Sequence, residues 1–189
     1  MKTAGAITEK LSNIAAEARG LEAQGADIAS TLELGHDPMI QLALAAAATE
    51  RMQLMTSITV AFARSPMTLA LTAHDVNSLS QGRLMLGIGS QIKPHIEKRY
   101  SMPWSKPAAR MREYVLALKA IWASWYEGEP LQFRGEFYNH PLMTPMFPPP
   151  DGEDGAPPVV VAAVGPLMTE NAAEGADGIL LHGFTTEEY

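Results

Sequence analysis

Short apolar runs rich in β-branched and small residues alternate along this chain with longer segments whose apolar positions recur at helical spacing. The first run, residues 3–7, is followed by a helix pattern with Leu11, Ile14, Ala15, Ala18 and Leu21 on one face and Gly25 behind it. A second run, 26–31, leads to Asp37-Pro38, an N-cap residue followed by proline at the first helical position. The helix predicted over 38–51 is apolar nearly all round and is expected to be well buried. A third strand is predicted over 54–60, and Ser65-Pro66 starts a helix that ends near Ser80 with Gly82 behind it. Residues 84–89 form the fourth strand, apolar on both faces as a parallel strand between helices is. Pro107 opens the longest helix, with Met111, Tyr114, Val115, Leu118, Ile121, Trp122 and Trp125 as its stripe and Gly128 as its stop. The fifth strand is predicted over 159–163, a short helix over 166–174 and a sixth strand over 179–181.

Two segments interrupt this rhythm. Residues 90–106 read as a long polar loop containing His95, Arg99 and Trp104. Residues 128–158 read as an insertion: a hairpin pairing 131–133 with 136–138 around Arg134-Gly135, then a proline-rich stretch over 145–158. Repeated strand–helix alternation argues for an α/β fold, a parallel sheet with helices outside it. Either an open doubly wound sheet or a (β/α)8 barrel satisfies that. A dinucleotide-binding sheet needs a glycine-rich turn directly after an early strand, and the first strand here runs into Thr8-Glu9-Lys10. The barrel is favoured, as one domain over residues 1–189.

Composition narrows the setting. Apolar residues at 47% and charged residues at 19% describe a folded chain. Lys plus Arg is 14 against 21 Asp plus Glu, a net charge of −7 with no basic run, which argues against nucleic-acid binding. With no cysteine, disulfides, thiolate metal sites and cysteine nucleophiles are excluded together. No apolar run approaches the roughly 18 residues of a membrane span, and Glu9 and Lys10 interrupt any signal-peptide core. The expectation is a soluble, cytoplasmic chain.

In a barrel of this kind the active site lies at the C-terminal ends of the strands. That rule selects Glu33, His36 and Asp37 after the second strand, Arg64 after the third, and Ser90, Gln91, Lys93 and His95 after the fourth. Val164 and Gly165 follow the fifth, and His182 with Gly183 the sixth. His36 is a candidate proton donor or ring-contacting group, while Asp37 is explained by its capping position. Glu33 is either an acid–base group or the partner of Arg64, because a buried carboxylate needs pairing. His95 reads as a solvated or substrate-edge residue. Gly165-Pro166 at a helix start leaves backbone N–H groups for a phosphate, with the Thr169 hydroxyl one turn in, although an ordinary Gly-Pro helix start reads the same way. No histidine–carboxylate spacing suits a metal, and none is expected.

Four segments carry a family resemblance: ELGHDP (33–38), TSITVAFARSPMTLA (56–70), SQGRLMLGIGSQ (80–91) and VAAVGPLMTE (161–170). Together they resemble the bacterial luciferase-like monooxygenase superfamily, and within it the coenzyme F420-dependent oxidoreductases. The resemblance implies a (β/α)8 barrel with an insertion before strand five and a flavin or deazaflavin ring across the strand ends. It implies a non-proline cis peptide at Ser57-Ile58 behind the ring, with Gly89, Ser90 and Gln91 near the ring and its adjoining chain. Ala163, Val164, Gly165 and Thr169 match the phosphate side, and Glu33 and His36 match the loop facing the reacting carbon. The implied chemistry is hydride exchange between F420 and a small organic substrate, with His36 or Glu33 handling the proton. FMN in place of F420 implies a monooxygenase using oxygen. Ser30 stands where relatives commonly carry an aromatic residue, and Gln91 where some carry an acid. Pairing of two copies through the second and third helices is a further implied feature.

A complete (β/α)8 barrel takes about 250 residues, and this chain has 189. The expectation is therefore a C-terminally truncated barrel of about six strands with open edges on the first and the sixth. Thr185-Thr186-Glu187-Glu188 reads as the capping box of a further helix. An inactive fragment that keeps only a cofactor-binding or subunit-interface surface is the remaining reading.

Overall fold

The structure, a computed structural model, describes residues 1–8, 10–150 and 152–183. The capping-box sequence at 185–188 lies outside the described residues. In chain order the strands are β1 (Ala4–Ala6), β2 (Ile28–Thr31), β3 (Gln53–Thr56), β4 (Thr59–Val60), β5 (Leu84–Gly89), β6 (Phe133–Arg134), β7 (Asn139–His140), β8 (Val159–Ala162) and β9 (Gly178–Leu180). The helices are α1 (Ile14–Ala23), α2 (Pro38–Ala46), α3 (Pro66–Leu79), α4 (Lys93–Lys98), α5 (Pro107–Tyr126) and α6 (Pro166–Ala173).

One parallel sheet runs β1-β2-β3-β5-β8-β9, with β4 continuing β3 against β5. Strands are added in one direction with no reversal, whereas a doubly wound sheet reverses its order at a switch point. The helices pack in chain order outside it, α1 on α2, α2 on α3, α3 on α5 and α5 on α6. This is a curled half-barrel, the α/β architecture expected. Leu42, Leu54, Phe62, Leu69, Leu84, Leu86, Tyr114, Leu118 and Trp122 fill the layer between sheet and helices. Among the described residues no helix is long and apolar enough to cross a membrane.

Helix starts follow the local chemistry. Asp37 Oδ1 accepts the Met39 N–H at 2.9 Å ahead of α2, and Ser65 Oγ accepts the Thr68 N–H at 3.1 Å ahead of α3. Both caps satisfy backbone donors that the first turn leaves without partners.

Four expectations are corrected. Helix α2 ends at Ala46, not near residue 51, because side chains from elsewhere take over its last groups. Arg83 donates to the Ala46 and Thr49 carbonyls at 3.2 and 2.9 Å, and Glu22 accepts the N–H groups of Glu50, Arg51 and Met52. Nor is α2 buried all round, since Ile40 and Leu44 face outward. Residues 90–106 contain the short helix α4. The hairpin pairs Phe133 with His140 and Arg134 with Asn139, further out than predicted. Glu113 gathers the N–H groups of Glu136, Phe137 and Tyr138 at 2.7–2.9 Å, which turns those residues into the loop. Gly135 permits this, because a Cβ there would lie 2.0 Å from Glu113 Oε1.

The predicted third strand is interrupted at the place the resemblance implied. Ser57-Ile58 is a cis peptide. Met55 pairs with Met85 and Thr59 with Ile88, so three residues, 56–58, stand opposite two, 86 and 87. Such an extra residue bends the strand and leaves ladder groups without partners. Thr56 supplies them from its side chain: its Oγ1 accepts the Gly87 N–H at 2.9 Å and donates to the Gly87 carbonyl at 2.6 Å. Gly87 is required here, because a Cβ would lie 1.8 Å from the Thr56 carbonyl oxygen.

Candidate functional site

Parallel strands place all their C-terminal ends on one edge, so β2, β4, β5, β8 and β9 deliver residues 32–37, 61–64, 90–91, 163–165 and 181–182 side by side. At the β2 end, Glu33 is 8% and Arg64 18% exposed in their side chains. Arg64 Nη1 donates to both Glu33 oxygens at 2.8 and 2.9 Å, and Nη2 donates to Asp37 Oδ2 at 2.7 Å. Glu33 also accepts the Val60 N–H at 2.8 Å and the Tyr100 hydroxyl at 2.9 Å. One guanidinium thus fixes the loop after β2, the cap of α2 and the turn after β4. Its planar fork suits this in a way a lysine ammonium does not.

Burial works against the charge of Arg64, but bonding to Glu33 and Asp37 outweighs it, and the guanidinium pKa is raised. Burial, reinforced by donation to the Glu33 carboxylate, likewise raises the Tyr100 phenol above its ordinary value of 10.0.

His36 lies exposed on this clamped loop. It shares a cleft of about 300 Å³ with Glu33, Asp37, Arg64, Arg99 and Tyr100. Arg99 Nη2 donates to the Leu34 carbonyl at 2.8 Å, which ties the segment after α4 to the loop after β2.

Beside this polar cleft the next strand ends form an apolar floor. Ile58 lies over Gly89: a Cβ on Gly89 would stand 2.9 Å from Ile58 Cδ1 and 3.5 Å from the Ala162 methyl. The structure therefore brings Ile58 of the cis peptide, Gly89 at the end of β5 and Ala162 in β8 together. Ser57 is half-buried, its N–H bonded to the Thr31 carbonyl at 2.7 Å. Ser90 Oγ donates to the Gln91 carbonyl at 3.1 Å, and Gln91 takes a left-handed backbone with φ 59°.

At the far end Ala163 is buried, with its N–H bonded to the Leu180 carbonyl, while Val164 is 53% exposed. Gly165 caps α6, and nothing lies within 4 Å of where its Cβ would be. Thr169 Oγ1 donates back to the Gly165 carbonyl at 3.2 Å, so its proton is already engaged within the helix. A cleft of about 610 Å³ opens between the first turns of α5 and α6, with Lys106 and Gly165 on its walls. His182 follows β9 on the same edge, whereas His95 sits exposed on α4.

A slightly larger cleft, about 660 Å³, lies at the opposite end of the sheet, between α5 and the residues that precede β8 and β9. Its Lys119 and Asp177 are paired at 2.8 Å, and Asp177 also accepts the Val159 N–H. These are structural bonds, and the chemistry-bearing residues gather at the other end. Among the described residues no group of three His, Asp or Glu side chains is arranged to hold a metal ion.

Sequence reasoning did not single out Tyr100 or Thr56, and it treated Arg99 only as a loop residue. None carries a local signal, because each acts on a partner at least 31 residues away.

A family model described as luciferase-like monooxygenase matches residues 1–189. The Mycobacterium tuberculosis protein Rv1360 is 50% identical over 189 residues, which is 100% of this chain and 56% of that protein. The F420-dependent glucose-6-phosphate dehydrogenase of Nocardia farcinica is 31% identical over 153 residues, covering 77% of this chain and 43% of that enzyme. Among solved structures, the monooxygenase RslO1 of Streptomyces bottropensis superposes with a TM-score of 0.77 at 25% identity. That match covers 100% of this chain and 62% of RslO1. The chain thus spans about half the length of the curated relatives it matches.

Proposed function

The chain belongs to the luciferase-like monooxygenase family, and from that premise we propose that it is the cofactor-ring and proton-transfer portion of a coenzyme F420-dependent oxidoreductase acting on a small organic substrate. The observation that carries this reading is the placement of an exposed His36 on a clamped loop beside the Ile58–Gly89 floor. A relative named as an F420-dependent dehydrogenase supports the choice of cofactor.

A flat ring needs a level apolar support and open backbone groups at its edge. Ile58 fills the room left by the missing side chain of Gly89, which levels the floor. Ser57, Ile58, Gly89, Ser90 and Gln91 would hold the ring and its adjoining chain. Ala163, Val164 and Gly165 would hold a phosphate, with the open backbone at Gly165 and the α6 dipole favouring negative charge, and Thr169 would join them by turning its hydroxyl from the Gly165 carbonyl to the anion. Bound F420 supplies a hydride-exchanging ring carbon.

His36 moves the accompanying proton at the substrate, since its imidazole opens to the cleft. Glu33 accepts from Arg64, Val60 and Tyr100 at once, so its part is to hold the loop that carries His36. The outward Ile40 and Leu44 of α2 support pairing with a second copy.

Fluorescence titration of the purified chain with F420 and, separately, with FMN tests the reading. Saturable F420 binding is expected. Binding of FMN alone would move the protein to the monooxygenase alternative, and binding of neither would leave a chain with only an interface surface. In the F420-dependent reaction, His36→Ala lowers turnover by about 10²–10⁴-fold, and unchanged turnover removes His36 from the mechanism.

A further inference from the structure

Arg99 is a cation of the strand-end face that is anchored without a carboxylate. Both carboxylates of the His36 cleft, Glu33 and Asp37, are bonded to Arg64. Lys93 pairs with Glu97, Lys106 with Glu136 and Arg112 with Glu174. Arg99 pairs with no carboxylate among the described residues, in a chain of net charge −7 where acidic partners are plentiful.

Although exposed, it is anchored. Its Nη2 is anchored on the Leu34 carbonyl at 2.8 Å, and its guanidinium carbon stands 5.0 Å from the centroid of the Tyr100 ring. Tyr100 is in turn fixed to Glu33. The guanidinium is therefore held on the wall of the cleft it shares with His36, with most of its N–H donors uncommitted. A guanidinium so placed matches a carboxylate or phosphate through two parallel N–H···O bonds.

We infer that Arg99 is the specificity-determining cation of this cleft and receives a compact oxyanion, a carboxylate or a phosphate monoester, carried by the substrate that reacts beside His36. The inference rests on the proposed proton role of His36 and goes beyond it by naming the substrate's chemical class. A cleft of about 300 Å³ accommodates such a head group together with a short carbon skeleton. Anchoring the anion at Arg99 orients the adjoining carbon toward the imidazole, which lowers the entropy to be lost on reaching the reactive geometry.

The test follows the His36 ring resonances by NMR in the full chain, titrating inorganic phosphate and acetate separately at constant ionic strength. A saturable shift at His36 is expected with at least one anion, and the tighter of the two identifies phosphate or carboxylate as the substrate group. His182 should stay unshifted. Arg99→Gln weakens that binding by at least about tenfold, the loss of a charge-assisted bond, and Arg99→Lys, which keeps the charge without the fork, falls between. Three results overturn the inference: no saturable shift, equal shifts at His36 and His182, or wild-type affinity in Arg99→Gln. Because no cofactor is present in the titration, those results leave the F420 reading standing. Failure of F420 to bind, with the anion shift intact, sinks only that reading.

Discussion

Around β2 and β4, one half-buried guanidinium ties together two carboxylates and, through Glu33, a backbone N–H and a tyrosine hydroxyl. Around β8 and α6, on the same edge of the same sheet, Val164, Leu167 and Leu181 are exposed, and among the described residues no ion pair ties down the loop 163–165. The first region holds one loop in one place through charges whose bonding outweighs their burial. The second leaves an open apolar surface with a helix N-terminus. The difference matches two tasks: aiming a proton donor needs a preorganised side chain, while gripping a phosphate needs only free N–H groups and a dipole.

Removing the clamp should give the largest effect. Arg64→Met leaves Glu33 buried without its cation, and breaking such a pair costs about 3–5 kcal/mol. Urea unfolding reads it directly. The double change Glu33→Leu with Arg64→Met recovers part of that loss, and a single-mutant loss below about 1 kcal/mol would mean that the two regions do not differ as described.

Two glycine substitutions sharpen the same contrast. Gly87→Ala drives a methyl into the Thr56 carbonyl oxygen and should cost about 1–3 kcal/mol or more. Gly165→Ala meets nothing within 4 Å at an ordinary negative φ of −111°, and its unfolding midpoint should correspond to a change within about 0.5 kcal/mol.

A pH experiment isolates Tyr100. Its folded-state pKa is raised above 10.0 by burial and by the bond to Glu33, so its stabilisation is fully present below pH 10 and is lost as pH rises through the folded value. Tyr100→Phe should therefore be less stable than the wild type at pH 8, by about 1 kcal/mol. The two unfolding curves should converge above pH 10, and a gap that persists there would show that the hydroxyl bond is not its source. Smallest of all, Leu167→Ser on the open side should leave the melting temperature unchanged within error, since the side chain is 69% exposed.

Local rules read most of the fold from sequence. Asp37-Pro38 and Ser65-Pro66 start helices because a cap and a proline act within one turn. The run 84–89 reads as a central strand because both of its faces are apolar. The GR of SQGRLMLGIGSQ, one of the four segments that carry the family resemblance, is structural: Gly82 takes φ 77° and Arg83 closes the end of α2. What local rules missed are bonds between distant segments. Glu113 sets the hairpin turn from more than 20 residues away, and Glu22 ends the helical region after α2 from 28 residues away. The candidate site shows the same division. His36 and Glu33 were singled out by their place after a strand, but the choice between catalyst and ion-pair partner for Glu33 depended on where Arg64 and Tyr100 reach.

In the proposed function a cofactor ring rests on the Ile58–Gly89 floor. Gly89→Ala tests it, because the new methyl would stand 2.9 and 3.0 Å from Ile58 Cδ1 and Cγ1 and only in ordinary contact with Ala162, so the Ile58 side chain is what must move. Measured by fluorescence titration, F420 affinity should fall at least about tenfold while the melting temperature holds. Wild-type affinity in a folded Gly89→Ala protein would contradict the claim.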